Sequence, residues 1–392
     1  MRNAVKYSRG SLHTLVVHRV QHTDILCNIA IACKDLQTLV ALSFPYFISE
    51  TLLEMAQSTN NLKRICIHTK IDIDAISGIL ETRPGIEHAE FRDAVVSWAH
   101  GNEAVHRPFQ VRTLIIQGTI DYATPIQRLV DKAAKLRSLV VHSLVEPRRD
   151  DGIALNFSRS NITDLVYSNI RSPGIPVLPT ALKRVSINLG YTIPYMWDRF
   201  EEMLKATLTR DLTHLTFGKD TRLFPTLLTS FLDFYKDDSG AITSLHDAAP
   251  LQHLSLSGDL DVKHSNRMRS MLSAVSPRIV VSTYLATSPR ILTPSLTSLE
   301  IPGFPLTDDD IKPITASTKL ERIDVSRSKI SGLGIKLLVD EAPTLRFINA
   351  ELCENLSSRD ALEYAESRGV RVNYIMHQVG GKGRKVRDVG GG

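Results

Sequence analysis

At 392 residues the chain is longer than one ordinary compact core, and at roughly 150 residues per domain it has length for two or three. A hydrophobic share of 43% against 23% charged residues excludes wholesale disorder, and with aromatics at 6% the core must be aliphatic. A net charge of +5, spread over this length, excludes the strong basic bias of a general nucleic-acid binder.

Residues 1–11 read as a lead-in, with basic residues but no apolar stretch of signal-peptide type. No uninterrupted apolar run reaches the roughly 18 residues of a membrane span. The four cysteines, Cys27, Cys33, Cys66 and Cys353, fit neither metal-binding C-x-x-C spacing nor a dense disulfide framework. These features set the expectation of a cytoplasmic or nuclear protein with no membrane partner.

From Leu12 onward one pattern repeats: apolar, two residues, apolar, one residue, apolar. Its first copy is Leu12, Leu15 and Val17, and later copies start at Leu36, Leu62, Ile86, Val111, Leu136 and Ile162. The intervals are 24, 26, 24, 25, 25 and 26 residues. Starts at Leu182, Leu212, Leu251 and Leu296 are less regular, with intervals of 20, 30, 39 and 45 counted from Ile162. Lys236–Gly240 reads as a loop insertion there, and Ile279 with Val281 as a degenerate copy. Leu320 and Leu345 restore intervals of 24 and 25, and Val370–Tyr374 supplies a terminal strand.

Helix-period segments lie between the strands. Thr124-Pro125-Ile126 opens one with proline in its first turn. Thr307 or Asp308 caps another, with Asp308, Asp309 and Asp310 favouring the positive end of its dipole. Ile330-Ser331 and Leu356-Ser357 stand in the same place of the next two copies, and Ser357 and Asp360 have capping-box spacing. A short strand, a turn and a helix in about 25 residues form one unit of a stacked α/β solenoid, since a single unit cannot bury its own apolar face. Thirteen or fourteen units are expected over residues 12–375, in a horseshoe or arc. Its parallel strands would line the concave side for roughly 65 Å, with helices on the convex side. Residues 376–392 read as a flexible, glycine-rich basic tail.

With the first apolar residue of each copy as position 0, positions 0, 3 and 5 point into the core and positions 2, 4 and 6 face away from it, on the concave side where a partner is expected. The outward histidines are His18, His68, His88, His142, His214 and His253. The arginines are Arg64, Arg92, Arg184, Arg278 and Arg322, and the acids Glu90, Asp164, Glu300, Asp324 and Glu351. Arg64, His68, His88 and Arg92 fall in two neighbouring copies and suit an acidic or phosphorylated segment, because paired arginines hold phosphate bidentately. The other reading is that they are simply solvated strand residues on a large surface, since charged exposed residues are common without a role. His142, Arg184, His214, His253, Glu300, Arg322 and Asp324 complete the candidate partner-binding face. Metal binding by the histidines is set aside, because ligands on adjacent strands lack a tight spacing signature. No catalytic motif is found, so neither a cofactor nor enzymatic activity is expected.

Leu345-x-x-Ile348-x-Ala350-x-x-Cys353, followed by Leu356-Ser357, carries a family resemblance. The chain resembles the ribonuclease-inhibitor-like leucine-rich repeat superfamily, and within it the repeat region of F-box proteins. Ser328 and Phe304 occupy the cysteine's place in the two preceding copies. The resemblance implies the substrate-recognition part of a cullin-RING ubiquitin ligase. Such proteins carry a small helical F-box before the repeats. Here the first copy begins at Leu12, so the reading expects a missing N-terminal portion, and a ligase adaptor as partner only if an F-box lies outside this chain. An F-box-independent scaffold or inhibitor is the alternative, and a Ran-type GTPase-activating protein ranks below both.

Overall fold

What covers the apolar face of each copy is the next copy. A computed structural model describes residues 11–18, 28, 32–42, 49–96, 108–144, 155–168, 176–179, 181–188, 212–217, 252–256, 296–303, 306–315, 319–357 and 359–375. The chain divides into two compact units, Met1–Val185 and Ser186–Gly392.

In the first unit the strands are β1 (Thr14–His18), β2 (Thr38–Leu42), β3 (Arg64–Asp72), β4 (His88–Val96), β5 (Thr113–Ile120), β6 (Ser138–Ser143) and β7 (Asp164–Ser168). They pair in chain order, every pair parallel. Between them lie helices α1 (Ser49–Ser58), α2 (Ile73–Thr82) and α3 (Thr124–Lys132). The division between the units falls inside strand β8 (Arg184–Asn188).

The second unit holds β9 (His214–Phe217), β10 (His253–Leu256), β11 (Ser298–Glu300), β12 (Arg322–Asp324), β13 (Phe347–Asn349) and β14 (Arg371–Asn373), again parallel and in chain order. Its helices are a single 3-10 turn at Asp308–Asp310, then α4 (Ile311–Thr315), α5 (Gly332–Glu341) and α6 (Asp360–Ser367). Strand, turn and helix repeating at this period in parallel register make the fold a leucine-rich α/β solenoid.

Register follows the repeat residue for residue. Leu15 faces Leu39, Leu39 faces Ile65, Ile65 faces Ala89, and the row continues through Leu114, Leu139 and Leu165. Positions 0, 3 and 5 are buried almost without exception, as in Leu36, Leu39 and Ala41 or Ile86, Ala89 and Phe91, all at 0% exposure. A second device lies in the main chain. The carbonyl at position 1 of one copy accepts the N–H groups of positions 1 and 2 of the next, as Lys63 O does from Glu87 and His88, and Glu321 O from Arg346 and Phe347. Each strand is thereby aligned before its ladder begins.

Caps cross from copy to copy. Thr307 donates its N–H and hydroxyl to the Asp310 carboxylate, at 2.7 and 2.8 Å. Asp308 instead accepts the Ser331 N–H at 2.8 Å and the Ser331 hydroxyl. Ser331 in turn caps α5 by accepting from Leu333 N–H at 3.1 Å. Arg83 donates to the carbonyls of Ala56 and Gln57 in the last turn of α1, where orphan acceptors and the negative end of the dipole favour a cation. The structure corrects the expected capping box at Ser357: α6 starts at Asp360, with Arg359 in the cap position, so Ser357 lies ahead of the helix.

Strands β3, β4 and β5, with nine, nine and eight residues, are longer than the short strand expected of each copy. β3 and β4 continue past a register shift, between His68 and Ile71 on β3 and between Arg92 and Ala94 on β4, and β5 runs on unbroken beside them. Asp93, at position 7 of its copy, has φ of 68°, a left-handed conformation that Asp tolerates better than most residues. Across the bulge Ala94 pairs with Gly118, and a Cβ on Gly118 would run into the Ala94 backbone. The same position 7 is left-handed in three further copies: Gly303, Arg327 and Leu352 have φ of 78°, 59° and 57°.

The expected insertion at Lys236–Gly240, the degenerate copy at Ile279 and Val281, Arg278, Phe304 and the basic tail lie outside the described residues.

Candidate functional site

Alternation along each strand delivers the outward row. On β2 the pattern is strict, with Leu39 and Ala41 buried between half-exposed Thr38, Val40 and Leu42. Because the strands are in register, positions 2, 4 and 6 of neighbouring copies stand side by side about 4.8 Å apart.

Arg64, His68, His88 and Arg92 come together on β3 and β4. Arg64 faces His88, Cys66 faces Glu90, and His68 faces Arg92. At the centre stands Glu90, whose side chain is only 11% exposed. Its Oε1 receives the Arg92 Nε–H at 2.7 Å and bonds His68 Nε2 at 3.0 Å. Its Oε2 points toward His88 Nε2 at 3.8 Å, too far for a hydrogen bond. Burial works against charge on Glu90, but the hydrogen bonds from Arg92 and His68 outweigh it, so the carboxyl titrates below its ordinary value. Burial, and then the Arg64 guanidinium, hold the His88 imidazole below the usual histidine value. Burial likewise pushes the Cys66 thiol up, with Arg64 pulling the other way.

The four residues picked from the sequence are therefore not a bare cationic patch. A carboxylate is built into their middle and occupies two of them. Of the two arginines, Arg64 is exposed with no salt bridge among the described residues, while Arg92 is tied to Glu90.

The remaining candidates are spread along the strands. His142 is half-buried at position 6 of β6, facing Gln117 on β5 and Ser168 on β7. Arg184, exposed, pairs with half-buried Asp164 at 2.9 Å. In the second unit His214 and His253 face each other in register and stack with ring centroids 5.7 Å apart. Glu300 faces Asp324, which faces Asn349, and Asn349 Nδ2 donates to Asp324 Oδ2 at 2.9 Å. Arg322 lies over the Phe347 ring, 5.0 Å from its centroid, within cation–π range.

Cys66 is absent from the residues picked by type, although it stands at position 4 of its copy. Its signal was available: His88 and Glu90 are two apart on one strand, hence on one face, and Cys66 holds Glu90's position in the preceding copy. Cys353 plays a different part. At 1% exposure, its Sγ lies 3.3 Å from the Val325 carbonyl and 3.4 Å from Ser328 Oγ, stitching two copies together from the inside.

The sequence matches no protein-family model and no curated protein. Solved structures resemble the chain more broadly. One is an internalin, InlF, from Listeria monocytogenes, at 12% identity and TM-score 0.48, covering 96% of this chain and 93% of that one. The yeast Rad7–Elc1 complex matches at 14% identity and TM-score 0.46, over 95% and 87%. The TLR13–ssRNA13 complex matches at 13% and 0.39, over 88% of this chain but 36% of the other. Likeness at this level bears on the fold alone, and the fold rests on the strand register above.

Proposed function

We propose that the chain is a non-catalytic protein-binding module that receives one partner across the outward faces of its strands. The observation that carries the reading is the register: side chains at positions 2, 4 and 6 form in-register rows of chemically varied groups, most of them half-buried or exposed. On β3 and β4 the row sets an exposed Arg64 beside His68, His88 and Arg92. Recognition of an acidic segment suits that patch, with Arg64 as the available cation.

The narrower reading is substrate recognition for an F-box-type ubiquitin ligase. Its support is the repeat from Leu345 to Cys353, whose cysteine is buried and bonded to the preceding copy, as a cysteine-containing repeat requires.

Affinity capture of the full chain from its native cell extract, read by mass spectrometry beside an Arg64→Ala, Arg184→Ala variant, tests both. The expected result is a partner retained by the wild type and lost by the variant at unchanged melting temperature, with cullin and its adaptor in the same eluate. A partner held without those subunits leaves a plain binding solenoid and removes the ligase. Equal capture by wild type and variant removes these arginines from the interface.

A further inference from the structure

The polar cluster on β3 and β4 contains three donors of different kinds that converge. Cys66 Sγ, His88 Nε2 and a Glu90 carboxylate oxygen all lie within 4.8 Å of one another. His88 Nε2 is a buried atom with no hydrogen-bond partner among the described residues. A buried polar atom left unpaired is costly, and each such case in a folded protein calls for a physical reason such as an ion. Nothing in the protein-binding reading makes use of it.

The arrangement around Glu90 points the same way. Its two oxygens are divided: Oε1 is held by Arg92 and His68, and Oε2 is turned toward His88 Nε2 at 3.8 Å. Donors around a tetrahedral ion with bonds of about 2.0–2.3 Å sit roughly 3.3–3.7 Å apart, so this pair is already near the required separation. The Cys66 sulfur lies within 4.8 Å of both. Carboxylates that bind metals have their second oxygen fixed by outer hydrogen bonds, and this one does.

We propose that Cys66, His88 and Glu90 form a binding site for a zinc-class divalent cation, with His68 and Arg92 positioning the carboxylate. One sulfur, one imidazole nitrogen and one carboxylate oxygen suit zinc above calcium or magnesium, which take oxygen donors. Three protein ligands leave a fourth position, on the outward face of the strands, for water or for a side chain of a bound partner. The charges around the site are opposed. A thiolate and a carboxylate balance the ion, while the guanidiniums of Arg64 and Arg92 work against it; Arg64 also favours the thiolate that the ion needs. Binding releases the thiol proton to solvent, so affinity rises with pH. The inference stands independently of whether the chain binds a protein.

Cobalt(II) titration of the full chain reads the site directly, because sulfur ligation gives a near-ultraviolet charge-transfer band and tetrahedral geometry gives intense visible bands. The expected result is saturation at one cobalt per chain, displaced by zinc. Cys66→Ser abolishes the charge-transfer band and Cys353→Ser leaves it. His88→Gln weakens binding, and His68→Ala lowers affinity about tenfold or more. Circular dichroism verifies that each variant is folded, and Cys66→Ala replaces any Cys66→Ser protein that is not. A folded wild-type chain that gives no band overturns the site, as does a band that survives loss of Cys66 or an affinity unchanged in His88→Gln.

Discussion

Leu254 and Ile323 sit at position 3 of their copies, at 3% and 1% exposure. Truncating either to alanine leaves a cavity that flanking strands cannot close, and the expected loss is about 2–5 kcal/mol in denaturant melts. A loss under about 0.5 kcal/mol at both, the range of ordinary surface changes, would contradict the register. Acid sensitivity belongs to this scale too. In chelator-treated protein, Glu90's depressed carboxyl value means that its contribution is full above the ordinary carboxyl value of about 4.3 and is lost as pH falls through the folded value. His88 acts with the same sign: its folded value is lowered, so stability declines as pH drops below about 6.5 and the unfolded chain takes up the proton first. The melting temperature of Glu90→Gln is expected to fall less steeply with acid than that of the wild type, checked by thermal melts from pH 7 downward. Single-residue chemistry was only half legible in the sequence. Type and alternation identified Arg64, His68, His88 and Arg92, whereas the contacts that make Glu90 their centre depend on which oxygen faces which neighbour, and no spacing rule carries that.

At the level of strands and helices, positions 0, 3 and 5 were readable because burial enforces them almost throughout the described residues, and register followed. Helix starts were readable where a hydroxyl accepts or donates locally, at Thr307 and Ser331. They were not readable at Ser357, where an identical signal lies ahead of a helix that begins at Asp360. The extension of β4 escaped because the bulge at Asp93 shifts the alternation, so Ala94 and Val96 fall out of phase with Ala89 and Phe91, whereas Ile71 and Ile120 keep the phase of their strands. That bulge makes a sharp prediction. Gly118→Ala puts a methyl group against the Ala94 backbone, and a cost of about 1–3 kcal/mol is expected, measured by denaturant melts. Gly85→Ala, with open space around its Cβ position, is the control and should change stability little.

For the molecule as a whole, stacked copies contact mainly their neighbours, so stability is close to a sum of local and nearest-neighbour contributions. Leu39→Ala, at the centre of β2, is therefore expected to speed amide hydrogen exchange in β1, β2 and β3 well before β6 and β7. Uniform acceleration across β1–β7 would mean that the first unit opens as a single cooperative block. The period near 25 residues made this architecture legible from composition and spacing alone, since fourteen strands recur among the described residues. Its division into two units was not, because the interval lengths between Ile162 and Leu320 show irregularity without showing where contacts thin out.

The paired amides that share one carbonyl between successive copies involve main-chain atoms only. What they require of positions 1 and 2 is an N–H, so proline alone is forbidden there. Position 2 accordingly carries threonine, arginine, histidine, serine, aspartate and phenylalanine in different copies, as in Thr38, Arg64, His88, Ser138, Asp164 and Phe347. Alignment and side-chain identity are thus uncoupled in this protein: mutation can rewrite the outer row, one copy at a time, while the frame that displays it stays intact.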